Sequence, residues 1–123
     1  MRAGTGSADR LDPFALPVRF AAPDAAADGG ERRVTLECGR VLMDRIIGSI
    51  SMRIAVPLSA YSGVVVRLAP ADKAEADRVE ILLAHRDRAL DVPLGCEPHD
   101  GDHVAEWRSW SKALNLPLLI EGL

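Results

Sequence analysis

The feature that most constrains what this chain folds into is an alternation of apolar and polar residues with a period of two. Ile50, Met52, Ile54 and Val56 fall on one side of an extended segment while Ser51 and Arg53 fall on the other. Successive side chains of a strand point to opposite faces, so the pattern predicts half-buried β-strands, with these four residues in the core. The same spacing recurs at Leu16, Val18 and Phe20; at Val34, Leu36 and Cys38; at Val64, Val66 and Leu68; at Val79, Ile81 and Leu83; and at Leu90, Val92 and Leu94. With "RVLMDRII" (40–47) as a further strand, about seven are expected. Turn residues separate them: Gly29 and Gly30, Gly39, Gly48 with Ser49, "PLSAYSG" and "HRDR". Connections this short, with no helix between strands, predict a mainly β (α+β) antiparallel meander forming a small barrel or curled sheet, and exclude parallel pairing. Pro17 and Pro93 lie in the first and last of these strands, where a missing N–H is tolerated only at an edge.

The pattern changes near the C-terminus. Val104, Trp107, Trp110, Ser111 and Leu114 recur at helical spacing, with Ala105, Arg108 and Lys112 opposite, so an amphipathic helix over about 102–114 is expected to close the sheet. Asp100 or Asp102 suits its N-cap, Asn115 its left-handed exit, and Pro117 stops it. Both tryptophans of an otherwise aromatic-poor chain lie on its apolar stripe, which predicts that Trp107, Trp110 and Leu114 belong to the core.

At 123 residues, with 48% hydrophobic and 27% charged residues, the composition is that of one globular domain; residues 1–13 read as a flexible tail and 14–123 as the domain. No apolar run approaches the ~18 residues of a membrane span and no secretory h-region is present, so no membrane is expected and the cytoplasm is the default compartment. Cys38 and Cys96 are too few for a disulfide framework and are expected as reduced, packed thiols.

Candidate chemistry is sparse. "CEPHDGDH" sets Cys96, His99 and His103 at metal-compatible offsets, but a structural zinc site needs four preorganised ligands, so no metal and no cofactor are expected. "AHRDRA" (84–89), with His85, Arg86, Asp87 and Arg88, reads as a solvated hairpin tip. Arg33, Arg53 and Arg67 are the candidate binding surface, a basic stripe for phosphate or acidic peptide if the strands align them. A net charge of -3 weighs against non-specific nucleic-acid binding. No nucleophile elbow, phosphate loop or metalloprotease helix is present, which makes enzymatic function the weakest expectation.

The fragments "RLDPFALPVRF" (10–20), "MRIAVPLSAYSGVVVRL" (52–68), "LLAHRDRALDVPL" (82–94) and "AEWRSWSKALNLPLLIE" (105–121) resemble an uncharacterised family of small alphaproteobacterial proteins, a domain-of-unknown-function family. The resemblance covers most of the chain, implies a cytoplasmic setting without implying an activity, and leaves the cysteine and histidines of "CEPHDGDH" outside its pattern. It implies an Arg/Lys-rich extension after the helix, which this sequence does not contain. A seven-strand meander followed by one covering helix is also similar to pleckstrin-homology barrels, an analogy of architecture alone. The leading expectation is a non-enzymatic protein-interaction or adaptor module that docks an unknown protein partner on outer strands or at the edge near Pro93, with homo-oligomers through edge strands. Nucleic-acid association through the arginine stripe and small-molecule or metal binding are the alternatives.

Overall fold

The computed structural model describes residues 11–68, 78–98 and 103–121. Seven strands follow one another: β1 (Val18–Pro23), β2 (Glu31–Leu36), β3 (Arg40–Ile47), β4 (Ile50–Pro57), β5 (Tyr61–Leu68), β6 (Arg78–His85) and β7 (Val92–Pro98). Helix α1 (His103–Leu114) and a short strand β8 (Leu118–Glu121) follow, and single 3-10 turns lie at Asp28–Gly30, Leu58–Ala60 and Arg88–Leu90. The strands form two four-stranded sheets, ordered β1-β2-β3-β4 and β7-β6-β5-β8, and do not close into a barrel. The fold is therefore a mostly β, curled arrangement with a C-terminal helix.

All consecutive pairings within each sheet are antiparallel, as short turns require. The β3–β4 turn is two residues, Gly48 and Ser49, with φ of 58° and 69°, the left-handed pair that matches strand twist in a tight hairpin. One expectation is overturned: β8 pairs parallel to β5, Val64 opposite Leu118 through Arg67 opposite Glu121. Connection length did not exclude this, because α1 is itself the crossover that brings the chain back in the parallel sense. β8 thereby takes the side of β5 that a continuous meander would give to β4, and the sheet divides there.

The core is one cluster fed by both sheets and the helix. Val34, Leu36, Val41, Met43 and Val56 come from the first sheet, Val64, Val66, Val79, Ile81, Leu83, Val92 and Leu94 from the second, and Trp110 and Leu114 from α1. Trp110 is completely buried, and Trp107 is half-buried against the cluster. Asn115 has the left-handed φ of 56° expected after the helix, and the Ser111 hydroxyl and carbonyl both bond Leu116, closing the exit. Val104 departs from the predicted stripe, being 43% exposed in the first turn of the helix. The N-cap candidates Asp100 and Asp102 lie outside the described residues.

Three further expectations need correction. Ile50, Met52, Ile54 and Val56 do share the face that includes Leu36, Val34 and Met43, but only Val56 is buried; Ile54 is half-buried, Met52 is 44% exposed and Ile50 66%. The face is right and the burial is not: Met52 stands opposite Arg45 and Ile50 opposite Ile47 at the hairpin end, where both remain exposed to solvent. The thiols are free and exposed: β2 ends at Leu36, and Cys38 sits in the turn that follows. Leu11 packs on the core and Pro13 is buried, so the body reaches back into the segment read as tail; residues 1–10 lie outside the described ones.

Candidate binding cleft

Among the described residues β1 and β7 are each an outer strand of their sheet, paired on one side alone, in keeping with Pro17 before β1 and Pro93 within β7. Between them opens a cleft of about 1390 Å3, lined by Phe20, Ala21 and Pro23 from β1 and by Pro93, Gly95 and Cys96 from β7. Gly95 needs no left-handed backbone, and a Cβ built on it meets nothing within 4 Å, so its surface is open.

The wall of the cleft is held by polar contacts that cross the molecule. Arg32 of β2 donates from Nη1 to the Ala89 carbonyl at 2.8 Å and from Nη2 to the Asp91 carbonyl at 3.0 Å. The Tyr61 hydroxyl donates to the carbonyl between them, Leu90, at 2.8 Å. Three successive carbonyls of the β6–β7 connection are therefore satisfied by two side chains from outside it, which fastens one sheet to the other. Burial pushes the Tyr61 phenol up to about 12, with Arg32 opposing and Asp91 reinforcing the shift. Nearby, Arg45 Nη2 lies 2.6 Å from Asp24 Oδ1, and Asp24 also accepts from the Ala26 amide at 3.2 Å. Asp24 Oδ2 and Arg45 Nε are buried without a hydrogen-bond partner, so the pair is joined by a single bond and not by a two-pronged fork.

The segment "AHRDRA" is a solvated hairpin turn, with residues 86–89 exposed, and its backbone is fixed by local side-chain bonds. His85 Nδ1 accepts from the Asp87 amide, Asp87 caps the Ala89 amide, and Asp91 accepts from the His85 amide at 2.7 Å. The His85 ring stands edge-on to Tyr61, with centroids 5.2 Å apart. Arg86 and Arg88 are exposed, as expected.

The arginine stripe does not form. Arg33 and Arg53 do stand in one cross-strand row, but Asp44 stands between them, and Arg53 forks onto its two oxygens at 2.6 and 3.1 Å. That hydrogen bond holds the Asp44 carboxyl below its ordinary range and raises Arg53. Arg67 belongs to the other sheet, where Glu80 accepts from it at 2.9 Å and Glu121 at 3.4 Å. Of the metal candidates, Cys96 is exposed with Arg78 Nε 3.3 Å from its sulfur, His103 is half-buried at the start of α1, and His99 lies outside the described residues. Among the described residues no group of three metal-ligating side chains converges.

Sequence reasoning missed Arg32, Asp24, Arg45 and Tyr61. Arg32 and Arg45 break the apolar run of an inward face, a signal visible in the sequence but without a partner until the strands are aligned.

Fold and cleft together define a mostly β two-sheet domain, open along one side between its first and seventh strands. The chain belongs to a family of unknown function, DUF6101, whose match spans residues 2–122. No curated protein and no solved structure matches it. No helix among the described residues is long and apolar enough to cross a membrane.

Proposed function

We propose that this chain is a non-enzymatic, cytoplasmic interaction module that receives an extended segment of a partner protein in the cleft between β1 and β7. The observation that carries the reading is the cleft itself: about 1390 Å3, flanked by two outer strands that pair with nothing on that side among the described residues. Its lining combines apolar residues such as Phe20, Leu82, Pro93 and Leu94 with charged residues that include Arg19, Glu31 and Arg88, the mixture of apolar and polar surface found at protein interfaces. Among the described residues β1 pairs only with β2, so its middle, between Pro17 and Pro23, offers alternate outer N–H and C=O groups to an added strand, while Pro93 gives β7 a surface that packs without pairing.

Gly95→Trp tests it. Open space around Gly95 lets the indole enter the cleft without disturbing the sheet. A displayed peptide library selected on the wild-type chain is expected to yield segments whose binding Gly95→Trp abolishes. If no segment is enriched on the wild-type chain over Gly95→Trp, the proposal fails.

A further inference from the structure

The opposite side of the molecule carries a different signal. Among the described residues β4 is the other outer strand of the first sheet, eight residues long, with proline only at its last position. Natural outer strands are protected by prolines, lysines, bulges or shortness. β1 is flanked by Pro17 and ends in Pro23, β7 contains Pro93 and Pro98, and β8 is only four residues long. Over Ile50–Val56 β4 has no proline, no lysine and no register shift, its one charge, Arg53, is paired with Asp44, and it displays Ile50 at 66% and Met52 at 44% exposure beside half-buried Ile54.

We infer that β4 is a self-association edge, pairing antiparallel with β4 of a second copy in a register centred on Met52. The sequence of the strand selects both the occupant and the register. Centred on Met52, Ile50 of each copy faces Ile54 of the other and Met52 faces Met52, so the three large apolar side chains of the strand meet one another on one face. On the opposite face Ser51 stands across from Arg53, and no like charges are directly opposed. Centring the pair on Arg53 would place two guanidinium groups across from one another, and shifting by one residue would send the aliphatics to opposite faces. Arg53 is already neutralised by its fork onto Asp44 within its own sheet, so two copies approach without a net repulsive row. The contact is two-fold symmetric and closes on itself, joining two four-stranded sheets into one of eight. It uses neither β1 nor β7 and is independent of the cleft.

Light scattering coupled to size exclusion, at about 100 µM chain, is expected to give twice the chain mass for the wild type. Met52→Lys, at an exposed position, is expected to weaken association by at least ~10-fold while leaving the circular dichroism and unfolding midpoint unchanged. Gly95→Trp should remain dimeric. In a Cys38→Ser, Cys96→Ser background, Met52→Cys is expected to form an intermolecular disulfide on mild oxidation, because directly opposed residues lie within disulfide reach. A monomeric wild type at that concentration overturns the inference, as does a Met52→Lys chain that stays dimeric or a Met52→Cys chain that does not cross-link.

Discussion

The indole N–H of Trp107 donates to the main-chain carbonyl of Val64 at 2.7 Å, and the Val64 amide in turn donates to the Pro117 carbonyl at 2.8 Å. A single residue of β5 is thus gripped on one side by the helix and on the other by the segment leading into β8. The two tryptophans divide the work: Trp110 fills the core, and Trp107 fixes where the helix sits on the strand.

Replacing them should separate these roles. Trp110→Ala is expected to cost about 3–5 kcal/mol in urea unfolding, the usual range for emptying a buried aromatic site. Trp107→Phe keeps most of the ring contact but removes the indole bond to the Val64 carbonyl, an expected loss of about 0.5–1.5 kcal/mol. The Trp107→Phe chain retains Trp110 as its one tryptophan, and the tryptophan emission should be blue-shifted and resistant to acrylamide.

Gly63 is the position where β5 and the C-terminal strand come closest. A Cβ there would lie 2.6 Å from the Pro117 carbonyl oxygen and 2.8 Å from the Leu119 side chain. The first of these atoms is backbone and has no flexible way out. Gly63→Ala is therefore expected to destabilise the chain by about 1–3 kcal/mol and to raise amide exchange in 117–121 more than in β1–β3. Equal protection in both regions would contradict this.

Tyr61 predicts an alkaline limit. Its phenol titrates at about 12 in the fold against an ordinary value of 10.0, so the unfolded chain loses this proton first. The stabilisation is complete below pH 10 and is lost as pH rises toward 12. Denaturation midpoints measured across that window should fall for the wild type, and Tyr61→Phe should be less stable at neutral pH but flatter above 10.

Asp28 sets a corresponding feature at acid pH. It accepts from the Ser49 amide at 2.9 Å and the Gly48 amide at 3.0 Å, which lowers its carboxyl below the ordinary 3.8. A depressed carboxyl contributes stability above its unfolded value and loses it as pH falls through the folded one. In an NMR titration the Gly48 and Ser49 amide shifts should move together, with a midpoint below 3.8. Asp28→Ala should abolish both movements and increase amide exchange at the β3–β4 turn.

The positions of β1–β7, the hairpin at Gly48 and Ser49, the helix and its exit at Asn115 were all legible in the chain. Each is fixed by a local rule: side-chain alternation, left-handed turn residues, or helical spacing with a stop. The same rules placed Ile50, Met52, Ile54 and Val56 on one face correctly, yet alternation carries no information about how far the opposing layer extends. Only the tertiary structure decided that this layer ends before Met52, and that Asp44 stands between Arg33 and Arg53 while Arg67 joins the other sheet. It also decided that β8 returns parallel to β5. These outcomes depend on register and on contacts between residues dozens of positions apart, such as Arg32 with Asp91. What lies along one strand is written in local order, whereas what lies across from it is settled only when the whole chain packs.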